Sequence, residues 1–197
     1  MIMKAIATCL GACAALAGMP AWAQGSSGCP GGSYAVVLSP DGATLSVLFD
    51  QFTLQTTAST TETQQRKFCR FSVPLSLPAR QSIGVYKVDY RGFSRLAARQ
   101  GAELDVQYFL GPRNNAHGRV FKRKVRGPQE GDYLFSETIG AGQMKRMGCG
   151  VSAVLDVAIT LSLNGDVRAG DAMVSLDTTD AASRGALVYH LDLKPCS

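Results

Sequence analysis

The stretch Val151–Leu163, VSAVLDVAITLSL, decides the fold. Its odd positions, Val151, Ala153, Leu155, Val157, Ile159, Leu161 and Leu163, are all apolar, and most even positions are small or polar. A period of two puts every odd side chain on one face of an extended strand. A helix would scatter the same residues around its circumference. The stretch therefore reads as a β-strand with one face in a core.

The same period recurs along the chain. In CRFSVPLSL, Cys69, Phe71, Val73, Leu75 and Leu77 alternate with Arg70, Ser72, Pro74 and Ser76. Pro74 cannot donate to a ladder, so this strand is expected at a sheet edge or with a bulge. TLSVLFDQF puts Leu45, Val47 and Phe49 on one face. VYKVDYRGF sends Tyr86, Val88 and Tyr90 inward and Lys87, Asp89 and Arg91 outward, and AELDVQYFL buries Leu104, Val106, Tyr108 and Leu110. GRVFKRKVRG, DYLFSETI, AMVSLDT and GALVYHLDLKPC bring the total to about nine or ten strands. Turn signals at Pro40-Asp41-Gly42, Gly111-Pro112, Gly127-Pro128 and Asn164-Gly165-Asp166 separate them. Two longer irregular stretches are expected, Thr53–Lys67 and the Gly-rich, basic Ile139–Gly148. No helical pattern competes. Strands with one apolar face pair most simply as two layers, so the fold class is all-β: a two-sheet antiparallel β-sandwich of immunoglobulin-like or jelly-roll type.

Residues 1–23 read as a signal peptide. Lys4 is the basic n-region, Ala5–Leu16 is small and apolar, and Ala21-Trp22-Ala23 suits signal peptidase. Cleavage is expected near Ala23-Gln24, leaving 24–197 as a single secreted or periplasmic domain. LGAC, ending at Cys13, offers a lipoprotein box as the rival, but it shortens the apolar region to Ala5–Ala12. No later stretch reaches the ~20 apolar residues of a membrane span.

The net charge of +5 falls by one when Lys4 leaves. So mild an excess suits an anionic surface and is far from a nucleic-acid signature. Cys9 and Cys13 leave with the leader, and Cys29, Cys69, Cys149 and Cys196 remain. An even count in an exported chain implies two disulfides, and no Cys-x-x-Cys points to redox or zinc chemistry. Of the three possible pairings, that of sequence neighbours is expected: Cys29–Cys69 and Cys149–Cys196. Cys69 and Cys149 both fall on apolar faces of their strands, which suits bridges in or beside the core. With Cys29 near the mature N-terminus and Cys196 penultimate, both chain ends would be tied down.

Together GCPGGSYAVVLSPDGATLSVLFDQF, RKFCRFSVPLSLP, VDYRGF, YFLGP with GPQEGDY, and LVYHLDLKPC make residues 28–196 resemble the family called domain of unknown function 4360. These are small secreted proteins of bacteria and fungi. The resemblance implies secretion and a compact disulfide-linked β-fold, with the four mature cysteines in the family's places. It brings no activity and no catalytic residues. MGCG at Met147–Gly150 departs from the pattern, which has a Trp or Ser-Pro near that cysteine.

Candidates for chemistry are few. No G-x-S-x-G occurs, and there are two histidines, His117 in a turn and His190, which Asp192 could orient as a base. Asn164, Asp166, Asp171, Asp177 and Asp180 cluster near two turns, without EF-hand spacing. Glu62, Glu103, Glu130 and Glu137 lie on separate segments, so facing carboxylates cannot be read from sequence. Arg119, Lys122, Arg123, Lys124 and Arg126 surround Phe121 on one strand. They would bind an anionic cell-surface polymer or glycan, or protect a sheet edge against pairing. Asp89 and Arg91 share a polar face as an ion pair, a bond to the Arg91-Gly92 bend, or a ligand contact. The residues thus point to a monomeric binding or structural protein at or outside the cell surface, with no cofactor, metal or nucleic acid. A secreted carbohydrate-active enzyme or lectin-like module is the alternative, weakened because the sole Trp, Trp22, leaves with the leader. A protease inhibitor presenting Ile139–Gly148 is the second alternative.

Overall fold

The computed structural model describes residues 22–23, 28–57, 59–61, 63–77, 80–111, 117–176 and 186–196. The expected signal segment up to residue 21 with Cys13, and also Glu62, Pro112, Asp177 and Asp180, lies outside them. The strands are β1 (Trp22–Ala23), β2 (Tyr34–Leu38), β3 (Thr44–Phe49), β4 (Thr53–Thr56), β5 (Gln64–Leu75), β6 (Gln81–Leu96), β7 (Gln100–Gly111), β8 (His117–Arg126), β9 (Gln129–Thr138), β10 (Arg146–Gly148), β11 (Ala153–Gly165), β12 (Ala172–Ser175) and β13 (Leu187–Pro195). One 3₁₀ turn, Val167–Ala169, interrupts them.

Two antiparallel sheets result. The first runs β1-β5-β11-β7-β8. In the second, β13 and β12 line one side of the 16-residue β6, and β9 and β10 line the other. The β2–β3 pair extends this sheet beyond β13, and β4 extends it beyond β12. The alternation in β11 is the reason it lies at the centre of the first sheet: from Ala153 to Leu163 every odd residue is buried. Burying each large aliphatic chain there is worth ~1.5–3 kcal/mol. Rings meet across the gap, which fixes the face-to-face stacking. Tyr34 of β2 meets Phe71 of β5 at 5.2 Å, Tyr108 of β7 meets Tyr189 of β13 at 5.5 Å, and Tyr90 of β6 stacks on Phe121 of β8 at 3.9 Å. The expected β-sandwich is therefore present, and both disulfides pair sequence neighbours.

β5 is an edge strand except where two-residue β1 pairs with Ser72 and Phe71, and Pro74 lies beyond that pairing. β1 itself spans the residues just before the expected cleavage point.

Several local expectations are corrected. Tyr86 is exposed rather than inward, because β6 carries one extra residue opposite His190 and Leu191. That bulge moves the core face from Ile83 and Val85 to Val88 and Tyr90. Val151 is half exposed, since β11 begins only at Ala153. Cys149 is exposed and precedes the strand, so its place in the alternation meant nothing; only the Cys29–Cys69 bridge lies in the core. Gly148, Cys149 and Gly150 all have positive φ, and a Cβ on Gly148 would lie 2.3 Å from the Gln81 carbonyl oxygen. The glycines of MGCG are thus what lets the chain turn Cys149 toward Cys196. The stretch expected as a loop after Thr53 contains β4, and Ile139–Gly148 folds into a tight turn leading to β10.

Arg91-Gly92 is not a bend but the middle of β6. Gly92 is glycine because Tyr133 crosses it: a Cβ there would sit 2.3 Å from the Tyr133 hydroxyl, which donates to Ser175 O at 2.7 Å.

Candidate functional site

Strand register assembles the most concentrated polar cluster, on the outer face of the second sheet. One row of neighbours across it is Val37, Ser46, Val188, Asp89 and Ser136, from β2, β3, β13, β6 and β9. The adjacent row runs Ser39, Thr44, His190, Lys87 and Thr138. A third places Arg91 beside Leu134. Apart from Ser39, just past the end of β2, each of these side chains sits on a paired strand, so its direction is set by the pleat rather than by a loop.

Asp89 is the centre, only 4% exposed. Its carboxylate accepts from the Ser136 hydroxyl, from Lys87 Nζ at 3.0 Å and from His190 Nε2 at 2.8 Å. Burial alone would raise its pKa, but the hydrogen bonds from Ser136, His190 and Lys87 outweigh it and hold the carboxyl below its ordinary value. Arg91 lies two residues on and lines the same groove, yet it has no ion-pair partner among the described residues. The groove holds about 670 Å³. Its margins are partly apolar: Val37 and Leu48 are exposed at one side, and Tyr86, near the His190 ring, is exposed as well.

The expected pairing of His190 with Asp192 is replaced by His190 with Asp89. Gly84 lies between Arg146 and Asp192 in register, and with no side chain in the way Arg146 reaches across to Asp192 at 2.7 Å. His190 is left to the next carboxylate in its own neighbourhood, one that lies 101 positions away in sequence. No sequence spacing could have signalled that contact; the register supplies it.

The basic strand β8 lies at the edge of the first sheet, and its five cations do not form one patch. Lys122 and Lys124 point to the outer face, opposite Asp105 and Glu103 in register, and pair with them at 2.6 and 3.1 Å. Arg123 lies over the Phe121 ring at 4.5 Å. Arg119 is on the side of Phe121, toward the gap between the sheets, and its Nε donates to Glu137 at 2.9 Å. Glu137 also accepts from the Tyr90 and Tyr108 hydroxyls at 3.3 and 3.4 Å. Burial first and the nearby Glu137 charge next raise the Tyr108 phenol far above its ordinary value. Arg126, the last residue of β8, lies at the sheet edge opposite Gly101.

The remaining candidates do not converge. Asp166 caps the 3₁₀ turn by accepting from Arg168 N and pairs with Arg99 at 2.9 Å. Glu130 pairs with Arg95. His117 opens β8. Among the described residues no three of His, Cys, Asp and Glu gather as metal ligands do, and no helix is long and apolar enough to cross a membrane.

A protein of Arthroderma benhamiae described as an uncharacterized secreted protein is 24% identical over 174 residues, covering 88% of this chain and 69% of its own. A solved structure described as TmCBM61 in complex with β-1,4-galactotriose aligns over 89% of this chain and 88% of its own, with 14% identity and a TM-score of 0.29. Likeness that slight says nothing about ligands. The family described as Domain of unknown function (DUF4360) matches residues 22–196, and the protein belongs to that family.

Proposed function

We infer that this is a non-enzymatic binding protein that works outside the cell or in the periplasm, exported behind the leader at residues 1–23. As a monomer it takes a glycan bearing acid groups across the outer face of the second sheet. The observation that carries this reading is Arg91, a cation lining the groove with no ion-pair partner among the described residues, beside an Asp89 already held by three donors. Lys87 and His190 are fixed by Asp89, so the polar floor is organised before a ligand arrives. Sugars present hydroxyl edges and apolar ring faces. Thr44 and Ser46 offer hydroxyls along the groove, and Val37 and Leu48 offer apolar surface. An acid group on the sugar would take the bidentate guanidinium of Arg91. The two disulfides fit an oxidising compartment.

Affinity electrophoresis of the oxidised mature protein tests this, in native gels containing polygalacturonate or alginate, with neutral galactan as control. Retardation by the acidic polymers is expected. Arg91→Gln should weaken it about tenfold, the loss of one charge-assisted bidentate contact. Lys122→Gln with Lys124→Gln should change it little. Retardation that survives Arg91→Gln and vanishes with the lysine pair would move the site to β8, and none with any polymer would end the proposal.

A further inference from the structure

We propose that the cavity between the sheets, beside β8, is a second ligand site that takes a small organic carboxylate with an apolar body. The cavity holds about 240 Å³ and lies on the opposite side of β6 from the Asp89 cluster. Val85, Leu110 and Ile139, all buried, give it an apolar wall. Its charged side chains are both cations. Arg119 and Lys145 bring positive charge and Gln143 an amide, while Tyr108 stands at the wall with its hydroxyl turned to Glu137.

Arg119 is the anchor. Its Nε is held by Glu137, the Tyr108 hydroxyl also bears on the guanidinium, and no second carboxylate among the described residues pairs with it. Glu137 is in turn held by two tyrosine hydroxyls, so the guanidinium plane is fixed by a second layer of hydrogen bonds. A carboxylate is the planar partner that matches the fork of a guanidinium with no second counter-charge. Lys145, exposed and without a described partner, adds a second positive charge beside it. Glu137 cancels one of the two cations, leaving one net positive charge to be met by a monoanion. The volume is below the ~300–1,000 Å³ of sites for drug-sized ligands, so the apolar body must be small. One part of the lining is the tight turn after Ile139, in which Gln143 N and Met144 N both donate to Gly140 O. Its residues Gln143 and Lys145 would contact a ligand there. This function is separate from the glycan site and does not rest on it.

The test uses ¹⁵N-labelled oxidised protein titrated with benzoate and hexanoate, with benzyl alcohol and hexanol as uncharged controls. Saturable shifts are expected for the amides of Tyr108, Arg119, Ile139 and Lys145, with Kd in about the millimolar range for so few ligand atoms. The alcohols should bind at least tenfold more weakly. Lys145→Glu, at an exposed position where folding is not in question, should weaken benzoate at least threefold, and Arg119→Lys should do so while keeping the charge. Asp89→Asn should leave these shifts unchanged, which separates this site from the glycan groove. Equal binding of acids and alcohols, shifts confined to the outer face of the second sheet, or no saturable shift would each overturn the proposal.

Discussion

Replacing both members of each cystine by serine should destabilise the protein unequally, and burial decides the order. The bridges close loops with sequence separations of 40 and 47 residues. The chain-entropy relation gives ~4 kcal/mol for each, so loop length alone predicts equal losses. The environments differ. Cys29 and Cys69 are both 0% exposed and belong to the core, whereas Cys149 is exposed. Serines at 29 and 69 would leave hydroxyls in an apolar site at ~1–3 kcal/mol each, and serines at the surface pair would meet water. The expected totals are therefore about 4 kcal/mol for Cys149→Ser/Cys196→Ser and about 6 or more for Cys29→Ser/Cys69→Ser. At ~2–4 °C per kcal/mol for a domain of this size, the melting temperatures should fall by roughly 10 and 20 °C. Circular dichroism melts of the two variants and the oxidised parent give the comparison. A second readout uses the intact protein: a phosphine reductant under native conditions should expose Cys149 and Cys196 to alkylation long before Cys29 and Cys69. Equal losses of stability, or faster labelling of the core pair, would refute the argument from burial.

Gly92→Ala should cost ~2–4 kcal/mol, because its methyl would lie 2.0 Å from Ser175 O and must displace the Tyr133 hydroxyl that bonds there. Tyr133→Phe, which removes only the bond, should cost ~1 kcal/mol; a similar denaturation midpoint for the two would dismiss the steric account. The protein should lose stability in acid partly through Asp89. Its folded pKa lies below the unfolded value of ~3.9, so its contribution is complete above that value and is lost as the pH falls through the folded one. Asp89→Asn should be less stable at pH 7 and show a shallower decline between about pH 5 and 2. Asp192, lowered chiefly by its Arg146 hydrogen bond, and Asp41, lowered chiefly by Ser39, would keep some slope in the variant. An unchanged acid slope would remove Asp89 from the account.

What the sequence made legible is what depends on one strand at a time. The odd face of Ala153–Leu163 is buried, as is that of Cys69–Leu75, because the pleat admits no other arrangement once one face must leave water. Where the chain departs from regular pleating, the pattern misled. Tyr86 looked inward because nothing in VYKVDY marks an extra residue in the ladder. Cys149 looked inward because the alternation of β11 was extended back through a turn that three positive φ angles now define. The site was harder still. Asp89 and Arg91 were visible as a polar pair, but Ser136 and His190 come from other strands, 47 and 101 positions away. Nearby sequence offered Asp192 to His190, and cross-strand register assigned Asp192 to Arg146.

The two outer faces argue for different roles because they treat charge differently. On the first sheet, Lys122 and Lys124 remain more than half exposed while pairing with Asp105 and Glu103. Such solvated pairs are worth ~0–1 kcal/mol and guard an edge strand from association. On the second sheet a carboxylate is taken almost entirely out of water and then matched by three donors from three strands. A buried ion pair of this kind contributes little that a well-packed apolar pair would not, since desolvation offsets the attraction. Stability alone therefore gives no reason for Asp89. Its effect is to fix the positions of Lys87 and His190 along an open groove, while Arg91, two residues away on the same strand, remains without an ion-pair partner among the described residues. An arrangement that spends burial on orientation and leaves a cation without a counter-charge is what the proposed glycan site requires.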